Sequence, residues 1–188
     1  MPIHWNVQGE VDGYGSKFWG LLLLPLVNTA VVILFAALPR IEPRRENFIR
    51  SHKAYFSFWA VFLVFMLVLH IALIAATLGY AVPIDVVVPV MTGLIFVVLG
   101  NFMGKVRSNY LMGIRTPWTL TSDESWNKTH RLGGKLFMLV GGLTILAALF
   151  WTPEATFAIM IGGIFIMLAV LFGYSYYVWK NDPNAKRA

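Results

Sequence analysis

The 188-residue chain contains no cysteine, which excludes disulfides and thiolate metal sites. Charge is nearly as scarce. Asp, Glu, Lys and Arg make up 13% of residues, and five long stretches carry none of them. Catalytic signatures are missing too: there is no Gly-x-Ser-x-Gly, no His-Glu-x-x-His and no phosphate-cradling glycine loop after a strand. The expectation is a protein that is not an enzyme and binds no cofactor or metal. The first 17 residues are polar with glycine turns and lack the basic, apolar, small-residue order of a signal peptide.

What the chain has in excess is apolar length. The uncharged stretches are Phe18–Leu38, Ala54–Ile84, Val86–Gly104, Leu136–Pro153 and Ala155–Trp179, each of 18 or more residues. About 20 apolar residues at a rise of about 1.5 Å cross a hydrocarbon core of about 30 Å. Lipid offers backbone amides no water, so each stretch must close its own hydrogen bonds as a helix. A hydrophobic fraction of 58% and a mean hydropathy of +0.69 exceed what a soluble domain of this size needs. The fold class is therefore all-α, a polytopic bundle of five transmembrane helices in the lipid bilayer.

Orientation follows from the cations. Fourteen of the fifteen Lys and Arg residues fall in three segments on one side, and only Lys17 lies opposite, among Glu10, Asp12, Asp85 and Glu154. The positive-inside rule places the basic side in the cytoplasm, with the amino terminus outside and the carboxyl terminus inside. The organisation expected is an outer segment at 1–17 and three spans at 18–103 with an inner loop at 39–53. An inner loop and amphipathic helix then fill 104–135, followed by two spans at 136–179 and an inner tail at 180–188 that includes Arg187. A pI of about 9.7 reads as an orientation and anionic-lipid signal. Direct nucleic-acid binding is not expected, because no basic segment is long enough to build a contiguous soluble surface.

Within the spans, small and polar residues are the informative ones. Gly100 and Gly104 form a GxxxG pair, and Gly141-Gly142 and Gly162-Gly163 sit mid-span; these read as intramolecular packing or as the face of a homo-oligomer. Asn28, His70 and Asn101 are intramembrane polar candidates, and such groups are functional by default. For His70 the plainer reading is a neutral imidazole bonded to a neighbouring helix. All seven tryptophans fall at or near span ends, as an interfacial belt requires.

The loop and helix at 104–135 are the most structured polar region. Thr121 and Glu124 have capping-box spacing, so a helix is predicted to start near Ser122. On it Glu124, Lys128, Arg131 and Lys135 share one face, while Trp126, His130, Gly133 and Phe137 share the other, suited to lie against the bundle. Arg115 stands between apolar residues, with Asp123 or Glu124 as candidate partners. The segment reads as a loop packed under the membrane, a docking surface or a closed anion pocket. At the other end, Gln8-Gly9 and Asp12-Gly13 are turn pairs, and His4, Glu10 and Asp12 are residue types suited to a metal or a polar ligand.

Three stretches together resemble one family: PIHWNVQGEVDGYGSK, LPRIEPRRENF, and NFMGKVRSNYLMGIRTPWTLTSDESWNKTHRLGG. They are similar to the SdpI family of bacterial membrane proteins, along almost the whole chain. The last stretch is the specific one, since it joins many polar identities outside the apolar background. The resemblance implies an immunity protein of the bacterial cell membrane that protects against a secreted membrane-active peptide toxin. It also implies signal transduction, by drawing a small winged-helix repressor to the membrane. By matching motif, His4, Trp5, Asn6, Glu10, Asp12 and Tyr14 would face the toxin. Arg44, Arg45, Asn47, Arg107, Asn109, Arg115, Thr116, Trp118, Trp126, His130 and Arg131 would face the repressor. Against the family's usual six-span pattern, the first helix is expected to be missing here. A small membrane transporter or lipid-binding protein is the alternative function.

Overall fold

In the computed structural model, which describes residues 1–186, a hairpin precedes seven helices, five of them long and apolar enough to cross a membrane. The chain is a multi-pass membrane protein, and each long apolar stretch gives one long helix. These are α1 (Lys17–Ile41), α3 (His52–Thr77), α4 (Ile84–Met103), α6 (Asp123–Phe150) and α7 (Pro153–Asn181). Two short helices, α2 (Arg45–Arg50) and α5 (Pro117–Thr121), lie at the basic end of the bundle. Of the expected tail, Arg187 lies outside the described residues.

The uncharged stretch Ala54–Ile84 is divided where turn chemistry demands it. Helix α3 ends at Thr77, and Gly79 takes φ +91° before Pro83 starts α4. At the other turn Thr152 accepts from the Ala155 amide and Pro153 takes the first helical position of α7. Helix α1 runs past the expected Leu38 through Pro39 to Ile41. Proline has no amide to give the Phe35 carbonyl, and the Tyr55 hydroxyl of α3 donates to that carbonyl instead.

The expected capping box is corrected. Thr121 closes α5, its hydroxyl donating to the Pro117 carbonyl at 2.7 Å, while Ser122 caps α6 by accepting from the Ser125 amide at 2.9 Å. A true capping box sits at Thr116 and Thr119, on α5. Helix α6 then runs unbroken from the polar end into the bundle, because nothing in Asp123–Phe150 interrupts its ladder.

The principal packing is α4 against α6, with α7 on α6 and α3 on α4; α1 rests mainly on α3. Glycines make the first contact close. A Cβ at Gly100 would meet the Gly134 carbonyl oxygen at 2.6 Å, and one at Gly141 would meet the Gly93 oxygen at 2.5 Å. In each helix the pair is seven residues apart, two turns, so one face of small residues runs along an antiparallel seam. Gly142 and Gly162 have nothing within 4 Å and Gly104 only the Arg131 stem, so the expected GxxxG pair contributes one glycine to this seam.

The amino-terminal segment departs from a turn-rich loop. Pro2–Trp5 and Val11–Tyr14 pair antiparallel as β1 and β2, and Gly9 turns the chain at φ +78°. Asp12-Gly13 is accordingly part of a strand, with Gly13 opposite His4.

Candidate functional site

At the basic end the motif residues turn inward. Asn109 is fully buried and holds its own loop: its amide donates to the Arg107 carbonyl at 2.7 Å, and its oxygen accepts from the Leu111 and Met112 amides, each at 2.8 Å. Next to it Trp126, 1% exposed, donates its indole N–H to the Val106 carbonyl at 2.8 Å. His130 stacks on Trp126 with ring centroids 4.1 Å apart. Its Nε2 accepts from the Ile114 amide at 2.9 Å, so Nδ1 carries the proton and donates to the Trp126 carbonyl at 2.7 Å. That pattern needs a neutral imidazole. It also needs Gly113, which has φ +113° and no room for a Cβ beside Nε2.

A second layer ties this loop to its neighbours. Arg44 donates to the Ser108 hydroxyl, to Tyr110 Oη and to the Leu120 carbonyl, and its guanidinium lies 4.6 Å from the Tyr110 ring centroid. Glu42, buried, accepts from the Arg44 and Tyr110 amides. Asn47 donates to the Ser108 carbonyl at 2.9 Å, and Ser51 accepts from the Arg107 amide at 2.8 Å. Thr116 donates to Ser175 of α7, Ser125 to the Ser175 carbonyl, and Ser122 to Asp182 at 2.5 Å. Buried polar groups are stable only when satisfied. Here the turn between α1 and α2, α2 itself, α6 and α7 each supply partners to one loop.

The sequence candidates therefore divide. Asn109, Thr116, Trp126 and His130 are buried structural members of the lock; Arg44 and Asn47 are half-buried ones. Trp126 is not part of an interfacial belt, because its indole is used inside. Trp118 packs edge-on against Phe172 and Tyr176 of α7. Arg45, Arg107, Arg115 and Arg131 are exposed. Arg115 donates to the Tyr110 carbonyl, and neither expected carboxylate reaches it. Glu124 is paired with Lys128 at 2.5 Å. Missed were Glu42, Ser51, Ser108, Ser122, Ser125 and Ser175. The cue for Glu42 was an acid set among cations in a short loop; for Ser175, a hydroxyl in an otherwise aromatic helix turn.

The hairpin end is built differently. His4 Nδ1 lies 2.5 Å from Asp12 Oδ1, whereas Glu10 pairs with Asn6 at 3.1 Å, so the three expected ligand types do not converge. Trp5 lines two apolar cavities of about 280 and 350 Å³ under the hairpin, one toward α1 and α3 and one toward α7. Tyr14 is exposed. Gln8 donates to Glu154 of α7 at 2.6 Å, and Gly9 sits against Asp85 of α4. In the bundle, Asn28 Oδ1 and His70 Nδ1 are covered but have no hydrogen-bond partner among the described residues, so His70 is not bonded to a neighbouring helix through that nitrogen. Asn101 is exposed.

Five spanning helices, a hairpin at one end and a hydrogen-bonded polar loop at the other define a multi-pass helical membrane protein with a preformed loop. The family model for the SdpI/YfhL protein family matches residues 105–175, the loop with α6 and most of α7, and a domain of unknown function, DUF1648, matches residues 1–29. Over 185 residues the chain is 32% identical to the Immunity protein SdpI of Bacillus subtilis (strain 168), an alignment covering 96% of this chain and 84% of that relative. No solved structure matches. The chain belongs to the SdpI family.

Proposed function

We propose that this chain is an immunity protein of the bacterial cytoplasmic membrane, protecting against a secreted membrane-active peptide, and that it also recruits a small winged-helix repressor. In this reading the hairpin faces outward and the basic end lies in the cytoplasm, as the cation distribution favours. The observation that carries it is a shared support. The hairpin rests on the first turns of α4 and α7 through Asp85 and Glu154, and the far ends of the same helices lead into and brace the polar loop. A peptide lodged by Trp5 in the apolar cavities would act on helices that also position the repressor face.

The buried motif residues hold that face, and the exposed Arg45 and Arg115 present it. A toxin-sensitive host expressing the chain should survive peptide challenge, and a labelled repressor should sediment with its membranes. Arg115→Ala should lower repressor capture while insertion and protection persist. Unchanged killing of cells that carry the inserted protein would refute immunity, and full capture by R115A would remove Arg115 from the docking face.

A further inference from the structure

Two of the cations expected to face the repressor, Arg107 and Arg131, also border a separate feature of the basic end. A cleft of about 860 Å³ lies between the end of α2, the turn after α4 and the first turns of α6. Arg50, Lys105, Arg107, Lys128 and Arg131 line it, together with the carboxylates of Asp123 and Glu124. Two of these cations are neutralised, Lys128 by Glu124 and Arg50 by Glu46, each at 2.5 Å. Among the described residues Lys105, Arg107 and Arg131 form no ion pair. These three cations line the cleft from the turn after α4 and from α6 and outnumber its remaining carboxylate, Asp123, so an anion between them would relieve their repulsion.

Depth suggests which anion. Arg131 stands five residues before the uncharged stretch that begins at Leu136, about 7 Å along the helix axis. Headgroup layers extend roughly 5–8 Å beyond each side of the hydrocarbon core. The Arg131 stem lies against Gly104, the cap of α4, and the Lys105 ammonium lies 5.1 Å from the Phe102 ring centroid, in the last turn of α4. The cleft thus lies level with lipid phosphates. Arginine forks match phosphate oxygens in pairs, and the lysine adds a point charge.

We propose that this cleft binds the phosphate of an anionic phospholipid headgroup in the leaflet at the basic end. The three unpaired cations hold the lipid, and the bound lipid joins the turn after α4 to α6 beside the polar loop.

The test uses the full-length chain in neutral detergent, with thermal unfolding followed as phosphatidylglycerol, phosphatidylcholine or inorganic phosphate is added. Phosphatidylglycerol should raise the melting temperature saturably, while phosphatidylcholine and millimolar phosphate leave it unchanged. Arg107→Gln and Arg131→Gln should each raise the half-saturating lipid concentration about fivefold, the share of one cation near an anionic surface. Arg115→Gln removes the same charge outside the cleft and should respond like the parent. No response to phosphatidylglycerol would overturn the proposal, as would equal weakening by R115Q and R131Q, which would mean diffuse attraction. Full stabilisation by inorganic phosphate, or by an acidic peptide with no effect of lipid, would overturn the lipid assignment. If R131Q unfolds without lipid, Lys105→Gln takes its place, and parent-like half-saturation by K105Q would count against the cleft.

Discussion

The two ends of the bundle both carry polar residues and use them in opposite ways. At the basic end Asn109, Ser125, Thr119 and His130 are all but inaccessible, each with hydrogen bonds to other segments or its own loop. At the hairpin end His4, Asp12, Asn6, Gln8 and Glu10 bond to one another or to Glu154 where water competes, and the cavities beneath them are lined mainly by apolar residues. Buried hydrogen bonds fix a shape, because breaking one strands a donor without water. Exposed ones over a cavity leave a surface that can adjust to what enters it. The difference fits the proposed function, in which one end presents a fixed surface and the other admits an apolar peptide.

The largest break of this contrast should come from Asn109→Leu. It removes three hydrogen bonds and strands the Leu111 and Met112 amides, which should cost about 4 kcal/mol in a denaturant titration. A loss below about 1 kcal/mol would mean water already reaches the loop. Next is the seam that joins the ends. Gly134→Val pushes against the Gly100 carbonyl, 2.7 Å from where a Cβ would lie, and should cost about 3 kcal/mol. Gly142→Val, with open space around it, should change stability little, and equal losses in both would refute the seam.

A smaller effect, about 1.5 kcal/mol, is expected for Tyr55→Phe, which leaves the Phe35 carbonyl without a donor. Adding Pro39→Ala should restore the loss, since residue 39 then has an amide for that carbonyl; no rescue in the double variant would disprove the exchange. Smallest in stability is Trp5→Ala. Melting should stay near the parent's, while protection against the peptide falls; protection unchanged would detach the cavities from the proposed function.

Several features were legible from local pattern. The charged face of α6 at Glu124, Lys128, Arg131 and Lys135 is exposed as its spacing predicts, and Trp126, His130 and Gly133 are buried opposite. Periodicity reports which face is dry, and it did so here. It could not report that Trp126 and His130 are consumed in holding a loop, because their partners are backbone atoms of Val106 and Ile114 that have no sequence identity to read. The hairpin was hidden for a similar reason. Its strands are four residues each, with an irregular register, so alternation had no room to appear.

Five spans, their order, and the concentration of cation at one end were determined by the sequence alone, because lipid forces every uncharged stretch of sufficient length into a helix whatever its neighbours are. Which arginines face inward, which glycines meet, and that Lys105, Arg107 and Arg131 line one cleft were decided only by the tertiary structure. Those relations depend on distances between segments far apart in the chain, and a one-dimensional pattern carries no information about them.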